Sequence, residues 1–116
     1  MTELLARTEE KIGYTFKDKT LLRKALTHSS YLNEHREAEE CNERLEFLGD
    51  SVLSLICSDH LYRTQGRNEG EMTKTKALLV CEEALSTYAR ELELGESLLL
   101  GRGEKQAGAE HRDSIL

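Results

Sequence analysis

Apolar positions recur at helical spacing along most of the chain. Leu4, Leu5, Thr8 and Ile12 form a ragged face, which predicts a helix from Thr2 to about Ile12 with Gly13 as its stop. Leu21, Leu22, Ala25 and Leu26 form the face of a short second helix, with Asp18 placed to cap it. Residues 27–40 lack such a period and read as polar and irregular; they contain His28-Ser29-Ser30-Tyr31. A long third helix is expected from about Asn42 to Thr64, closed by Gly66. A fourth opens with Asn68 as its cap and Glu71 as the answering third residue. It runs to about Glu93, with Leu78, Cys81, Leu85, Tyr88, Ala89 and Leu92 on one side. Gly95, Gly101, Gly103 and Gly108 then make a loop through about Glu110, and His111 to Leu116 read as the first turn of another helix.

Composition supports that pattern. Pro is absent and aromatics are 5%, whereas Leu, Glu, Ala, Lys and Arg dominate, so the expected fold class is all-α. At 116 residues, with no linker, repeat or low-complexity stretch, the chain is one domain. No apolar run approaches the roughly 18–20 residues that cross a bilayer. The first residues carry Glu3, Glu9 and Glu10, not the basic-then-apolar order of a secretory leader. Cys41, Cys57 and Cys81 are odd in number and match no zinc spacing. They read as small apolar filler in a reducing compartment, which places the protein in the cytoplasm with no membrane partner.

Charge is unevenly spread. The formal net charge is −6, and Glu34 to Asp50 holds seven acids (Glu34, Glu37, Glu39, Glu40, Glu43, Glu46, Asp50) against Arg36 and Arg44, a net of −5. On the third helix, Glu43, Glu46 and Asp50 fall within an arc of roughly 60°. Leu45, Leu48, Val52, Leu55 and Ile56 lie on the other side, with Gly49 among them. A Gly inside a helix costs about 1 kcal/mol relative to Ala, so Gly49 is read as room for a neighbouring backbone. Like charges at helical spacing repel by a few tenths of a kcal/mol per pair. A solvated face is one account of such a stripe. A hard divalent cation held by carboxylate oxygens is the other.

The segment Asn42-Glu43-Arg44-Leu45-Glu46-Phe47-Leu48-Gly49-Asp50-Ser51-Val52-Leu53 resembles the hallmark of the ribonuclease III endonuclease domain. Other pieces agree in order: Ala25-Leu26-Thr27-His28-Ser29-Ser30-Tyr31, Asn68-Glu69-Gly70-Glu71-Met72-Thr73, Leu94 to Glu104, and Arg112-Asp113-Ser114-Ile115-Leu116. The resemblance covers nearly the whole chain. It implies an all-helical domain that works as a homodimer and cuts double-stranded RNA with magnesium, manganese being possible. The ends would carry 5′-phosphate and 3′-hydroxyl, and the substrates would be ribosomal RNA and other structured precursors. Carried over by position, Glu46 and Asp50 match metal ligands, and Glu43 and Glu69 match supporting acids, so these four are the candidate catalytic residues. Whether one or two cations bind is open.

The resemblance also implies that a further Asp and Glu completing the metal site lie beyond Leu116, as does a double-stranded RNA-binding domain. Residues 1–116 are thus expected to be the amino-terminal portion of the catalytic domain and inactive alone, because two carboxylates hold magnesium poorly. Lys74, Lys76 and Arg112 are candidate RNA contacts, since duplex RNA is read through shape, phosphates and 2′-hydroxyls. The net acidity opposes tight RNA binding without a cation or companion module. His28 reads as structural, hydrogen-bonding a loop backbone. Phe47 is either core or a contact to a partner subunit. The alternative function is a non-catalytic dimerisation or RNA-binding module of the same fold.

Overall fold

A computed structural model describes residues 1–35, 40–64 and 66–116. Arg36, Glu37 and Glu39 of the acidic run lie outside the described residues. The first helix, α1 (Thr2–Ile12), ends where Gly13 turns left-handed at φ 71° and returns its N–H to the Glu9 carbonyl. In α2 (Lys19–Leu26), the Asp18 carboxylate accepts from the Thr20 N–H and satisfies an orphan donor of the first turn. Leu5 of α1 packs with Leu22 and Leu26 of α2 in the principal core cluster, with half-buried Phe16 against it.

The segment expected to be irregular contains a short helix, α3 (Ser29–Glu34). Its cap is the His28 ring, whose Nδ1 accepts from the Ser30 N–H at 3.1 Å. Histidine is outside the usual capping set, and six residues are too few to show an apolar period, so the pattern of side chains did not reveal it. The long helix α4 (Glu43–Arg63) follows the expected bounds closely. Its start is tied to the end of α2: the Asn42 N–H donates to the Thr27 carbonyl at 2.8 Å, and the Asn42 side chain donates to the Ala25 carbonyl at 3.1 Å.

The expected fourth helix is two helices. α5 (Glu69–Leu79) is capped by the Asn68 side chain on the Glu71 N–H, and α6 (Glu82–Glu91) follows. The chain breaks at Val80 and Cys81, where Cys81 is extended and serves as the cap of α6. Neither Gly nor Pro marks the break in the sequence. The glycine-rich stretch is not open loop either. It forms a 3-10 turn at Leu94–Ser97, α7 (Arg102–Gln106) and a second 3-10 turn at Ala109–His111. Residues 112–116 then close a single turn, with the Leu116 N–H on the Arg112 carbonyl.

These late elements are held to the early ones by polar contacts. Leu99 donates to the Leu26 carbonyl and accepts from the His28 N–H in a parallel bridge beside Thr27. The buried Thr8 hydroxyl lies 2.8 Å from that of Ser97. Glu34 accepts from the Arg102 N–H at the start of α7. The apolar core is small: Leu5, Leu22, Leu26, Leu61, Ala89, Leu99 and Ala109. The radius of gyration is 16.0 Å, against about 13 Å for a compact domain of this length, so the molecule is extended. The cysteines correct the sequence reading: Cys41 and Cys57 are only half-buried and Cys81 is exposed, so none is core filler.

Candidate metal centre

The helix α4 is turned the opposite way from an ordinary surface helix. Leu53, Cys57 and Leu61 mark the side facing the rest of the chain, with Leu61 only 3% exposed. At about 100° per residue, Glu43, Glu46 and Asp50 fall on that same side. Leu48, Val52, Leu55 and Ile56 fall on the far side, and Leu55 is 70% exposed. An amphipathic helix normally buries its apolar stripe and solvates its acids. Here Glu46 and Asp50 face the chain's own groove, and the apolar flank is uncovered.

Glu46 and Asp50 stand one helical turn apart and line a single groove of about 560 Å³. Its other walls are the α5–α6 junction, through Val80, Glu82 and Leu85, and the segment 113–116. Among the described residues neither carboxylate has an ion-pair partner. Arg44 pairs instead with Glu40 at 3.3 Å. Lys24, at 3.0 Å from Glu40, holds the Glu40 carboxyl below its ordinary range by hydrogen bonding. Lys24 and Arg44 are therefore engaged elsewhere. Two unpaired carboxylates one turn apart at a groove wall are a donor set suited to a hard divalent cation, which takes oxygen ligands. The fit is partial, because among the described residues no group of three or more metal-ligating side chains is assembled.

The groove contains two further acids that the sequence reading left out of the site, Glu82 and Asp113. Asp113 lies 63 positions after Asp50 and shares no helical register with it. Its place in the quoted segment Arg112-Asp113-Ser114 was the only available signal.

The remaining candidates lie elsewhere. Glu43 lines a separate hollow with Lys24, Glu40 and Phe47, and Leu45 borders both hollows. Glu69 lines a third hollow, between α4 and α5, with Leu55, Asp59, Met72 and Lys76. Asp59 is nine residues beyond Asp50, about 13 Å along the helix axis. One chain thus brings Glu46 and Asp50 together and leaves Glu43 and Glu69 apart from them. Lys74 is exposed, Lys76 is half-buried beside Glu69, and Arg112 is paired with Glu104.

Three other readings meet the structure directly. Phe47 is 81% exposed, which removes the core reading within this chain. A Cβ built on Gly49 would meet nothing within 4 Å, so the expected close backbone is not supplied by the described residues. His28 is structural: besides capping α3, its Nδ1 lies 2.8 Å from the Ser30 hydroxyl, which accepts the Gly101 N–H.

Fold and groove together describe an all-helical domain with a carboxylate-lined groove on its longest helix. The Ribonuclease-III-like family model matches residues 18–116, and the chain belongs to that family. It is 52% identical over 114 residues to Ribonuclease 3 of Caldanaerobacter subterraneus subsp. tengcongensis, covering 97% of this chain and 50% of that protein. It is 54% identical over 110 residues to Ribonuclease 3 of Oceanobacillus iheyensis, covering 93% of this chain and 48% of that protein. The chain thus spans about half the length of the curated relatives it matches. The fold is similar to that of the nuclease domain of ribonuclease III from Campylobacter jejuni. The TM-score is 0.83 at 38% identity, over 94% of this chain and 73% of that one. That structure is described as showing flexibility in a region involved in dimer formation. No helix among the described residues is long and apolar enough to cross a membrane.

Proposed function

We propose that the chain is the cation-holding portion of an endoribonuclease domain that hydrolyses double-stranded RNA. The observation that carries this is the pair of unpaired carboxylates, Glu46 and Asp50, turned into the groove by a helix whose apolar flank faces out. Family membership supplies the reaction class. Magnesium, or manganese in its place, would be held by Glu46 and Asp50. When bound, it would supply Lewis-acid activation of a phosphodiester and charge stabilisation at the leaving oxygen. The chain's own work is to hold these two oxygens at one groove wall and to keep Arg44 and Lys24 away from them. Products carry 5′-phosphate and 3′-hydroxyl ends, and the substrates are structured precursors such as ribosomal RNA in the cytoplasm.

The uncovered flank of α4 supports a homodimer, in which a second copy covers Leu48, Leu55 and Ile56. Glu43 and Glu69, which sit apart in one chain, act as supporting acids within that assembly. Lys74, Lys76 and Arg112 contact RNA phosphates, Arg112 by exchanging its partner Glu104. In the groove Glu46, Asp50 and Glu82 have no ion-pair partner among the described residues, and residues 1–116 alone leave duplex RNA uncut.

A chimera tests the reading: residues 1–116 replace the matching half of the Oceanobacillus relative, and long duplex RNA is incubated with magnesium. The chimera is expected to cut, Asp50→Asn to bind RNA without cutting, and the 116-residue chain not to cut. Equal cleavage by the Asp50→Asn chimera would overturn the enzymatic role of the groove. A chimera that binds duplex RNA without cutting favours the non-catalytic module, which the spread of the acids over three hollows also fits.

A further inference from the structure

The acidic groove is walled on one side by residues 113–116, the end of a segment from Glu110 that forms no helix longer than a single turn. Its placement depends on a few contacts. The Glu110 carbonyl seats over Gly95, where a Cβ would come within 2.6 Å. Arg112 pairs with Glu104. Arg90, from α6, makes the third contact, and the one that reaches a groove-lining acid. One guanidinium nitrogen donates to the His111 carbonyl at 3.0 Å and also to the Asp113 carboxylate. The other lies 3.4 Å from the hydroxyl of Ser86, which is buried at 1% exposure on the same helix. The guanidinium is therefore anchored on α6 and grips the segment by backbone and side chain at once. Its rigid fork suits that double grip, and the charge-assisted bond to a carboxylate is the stronger part.

We infer that Arg90 is a positioning residue for the acidic groove: it holds Asp113, and with it residues 111–116, as the wall opposite Glu46 and Asp50. This rests on the proposed cation role of that groove. Arg90 acts on the groove in two ways. It fixes the wall, so that Glu46 and Asp50 face a shaped cavity rather than open solvent. It also occupies Asp113, so that Asp113 shapes the site while Glu46 and Asp50 keep the free oxygens. Groups that orient a metal-binding site typically alter its affinity about 10–100-fold when removed.

The test uses the 116-residue chain with Arg90→Ala and Asp113→Asn, each checked for fold by its melting curve. Without metal, amide hydrogen exchange of residues 112–116 is expected to quicken in Arg90→Ala. The amide NMR signals of Glu46 and Asp50 are expected to shift as their facing wall loosens. Unchanged exchange and shifts would overturn the inference whatever the metal does. With manganese added stepwise, paramagnetic broadening around Glu46 and Asp50 measures affinity. Arg90→Ala is expected to weaken it about tenfold. Asp113→Asn, which keeps shape and an acceptor for Arg90, is expected to change it less than about threefold, short of the loss of an orienting group. Equal or tighter binding by Arg90→Ala would show that Arg90 competes with the cation and does not position the wall. A tenfold loss in Asp113→Asn would make Asp113 a ligand and likewise overturn the assignment. Absence of broadening in the wild-type chain removes the cation reading itself, and the positioning role with it, an outcome distinct from a defect confined to Arg90→Ala.

Discussion

Gly95→Ala tests how tightly the groove wall is seated. A Cβ at position 95 would lie 2.6 Å from the Glu110 carbonyl oxygen and 3.5 Å from Leu116 Cδ2. Glu110 follows Ala109, which is fully buried, so its backbone has little room to retreat. Relieving a contact of this kind in a packed region costs about 1–3 kcal/mol. The smaller conformational freedom of an unfolded chain with Ala offsets about 0.4–1 kcal/mol of that. A net loss of about 1–2 kcal/mol remains. Unfolding entropy of roughly 2.1 cal/mol/K per residue converts it, for this length, to a fall in Tm of about 4–8 °C. Gly103→Ala is the control: it lies within α7, and its Cβ would meet nothing within 4 Å. There Ala is expected to raise Tm by about 2–4 °C, the gain of about 0.5–1 kcal/mol for replacing a helical glycine. Thermal melts followed by far-ultraviolet circular dichroism read both. A Gly95→Ala chain melting at or above the wild-type temperature would refute the claim that residues 110–116 are seated on the 3-10 turn.

Two further predictions concern acid stability and the uncovered helix flank. The Glu9 carboxyl is held below its ordinary range by the hydrogen bond from Lys19, then by that from the Phe16 N–H; Asp18 and Glu40 are lowered by Thr20 and Lys24. A carboxyl lowered in the folded state stabilises it above the unfolded-state value, and that contribution is lost as pH falls through the folded value. Tm should therefore drop on acidification through the carboxylate range, and Glu9→Gln should melt lower at neutral pH but lose less on acidification; an equal acid loss in both would contradict the assignment. Phe47→Glu places a charge on an exposed aromatic beside Leu48, at the edge of the flank proposed to meet a second copy, and sedimentation should show dimer association weakened ~30-fold or more, about 2 kcal/mol for an aromatic anchor. Identical sedimentation of the two proteins would place the dimer contact elsewhere.

Local patterning made α1, α2 and α4 legible. Each had an apolar period, a stop or a cap in its own residues: Gly13 after α1, Asp18 before α2, and Gly66 beyond α4. The break at Val80–Cys81 was not legible, because both halves continue the same helical composition and no breaker separates them. The short α3 was hidden because its cap is a histidine. At the site, Glu46 and Asp50 were legible because a spacing of four residues puts two side chains on one face of any helix. Asp113 and Arg90 were not, since their meeting depends on how the last third of the chain returns to α6.

Helical content, the caps and the carboxylate pair thus follow from residues close together in sequence, where backbone geometry alone dictates which side chains are neighbours. The direction in which α4 faces does not. Its apolar stripe would ordinarily turn inward, yet the ties from Asn42 to Thr27 and Ala25, together with the burial of Leu61, rotate Glu46 and Asp50 to the groove and Leu48 and Leu55 outward. A helix's rotation about its axis is set by what its two ends are bonded to and which long-range contacts form, and no local spacing encodes that.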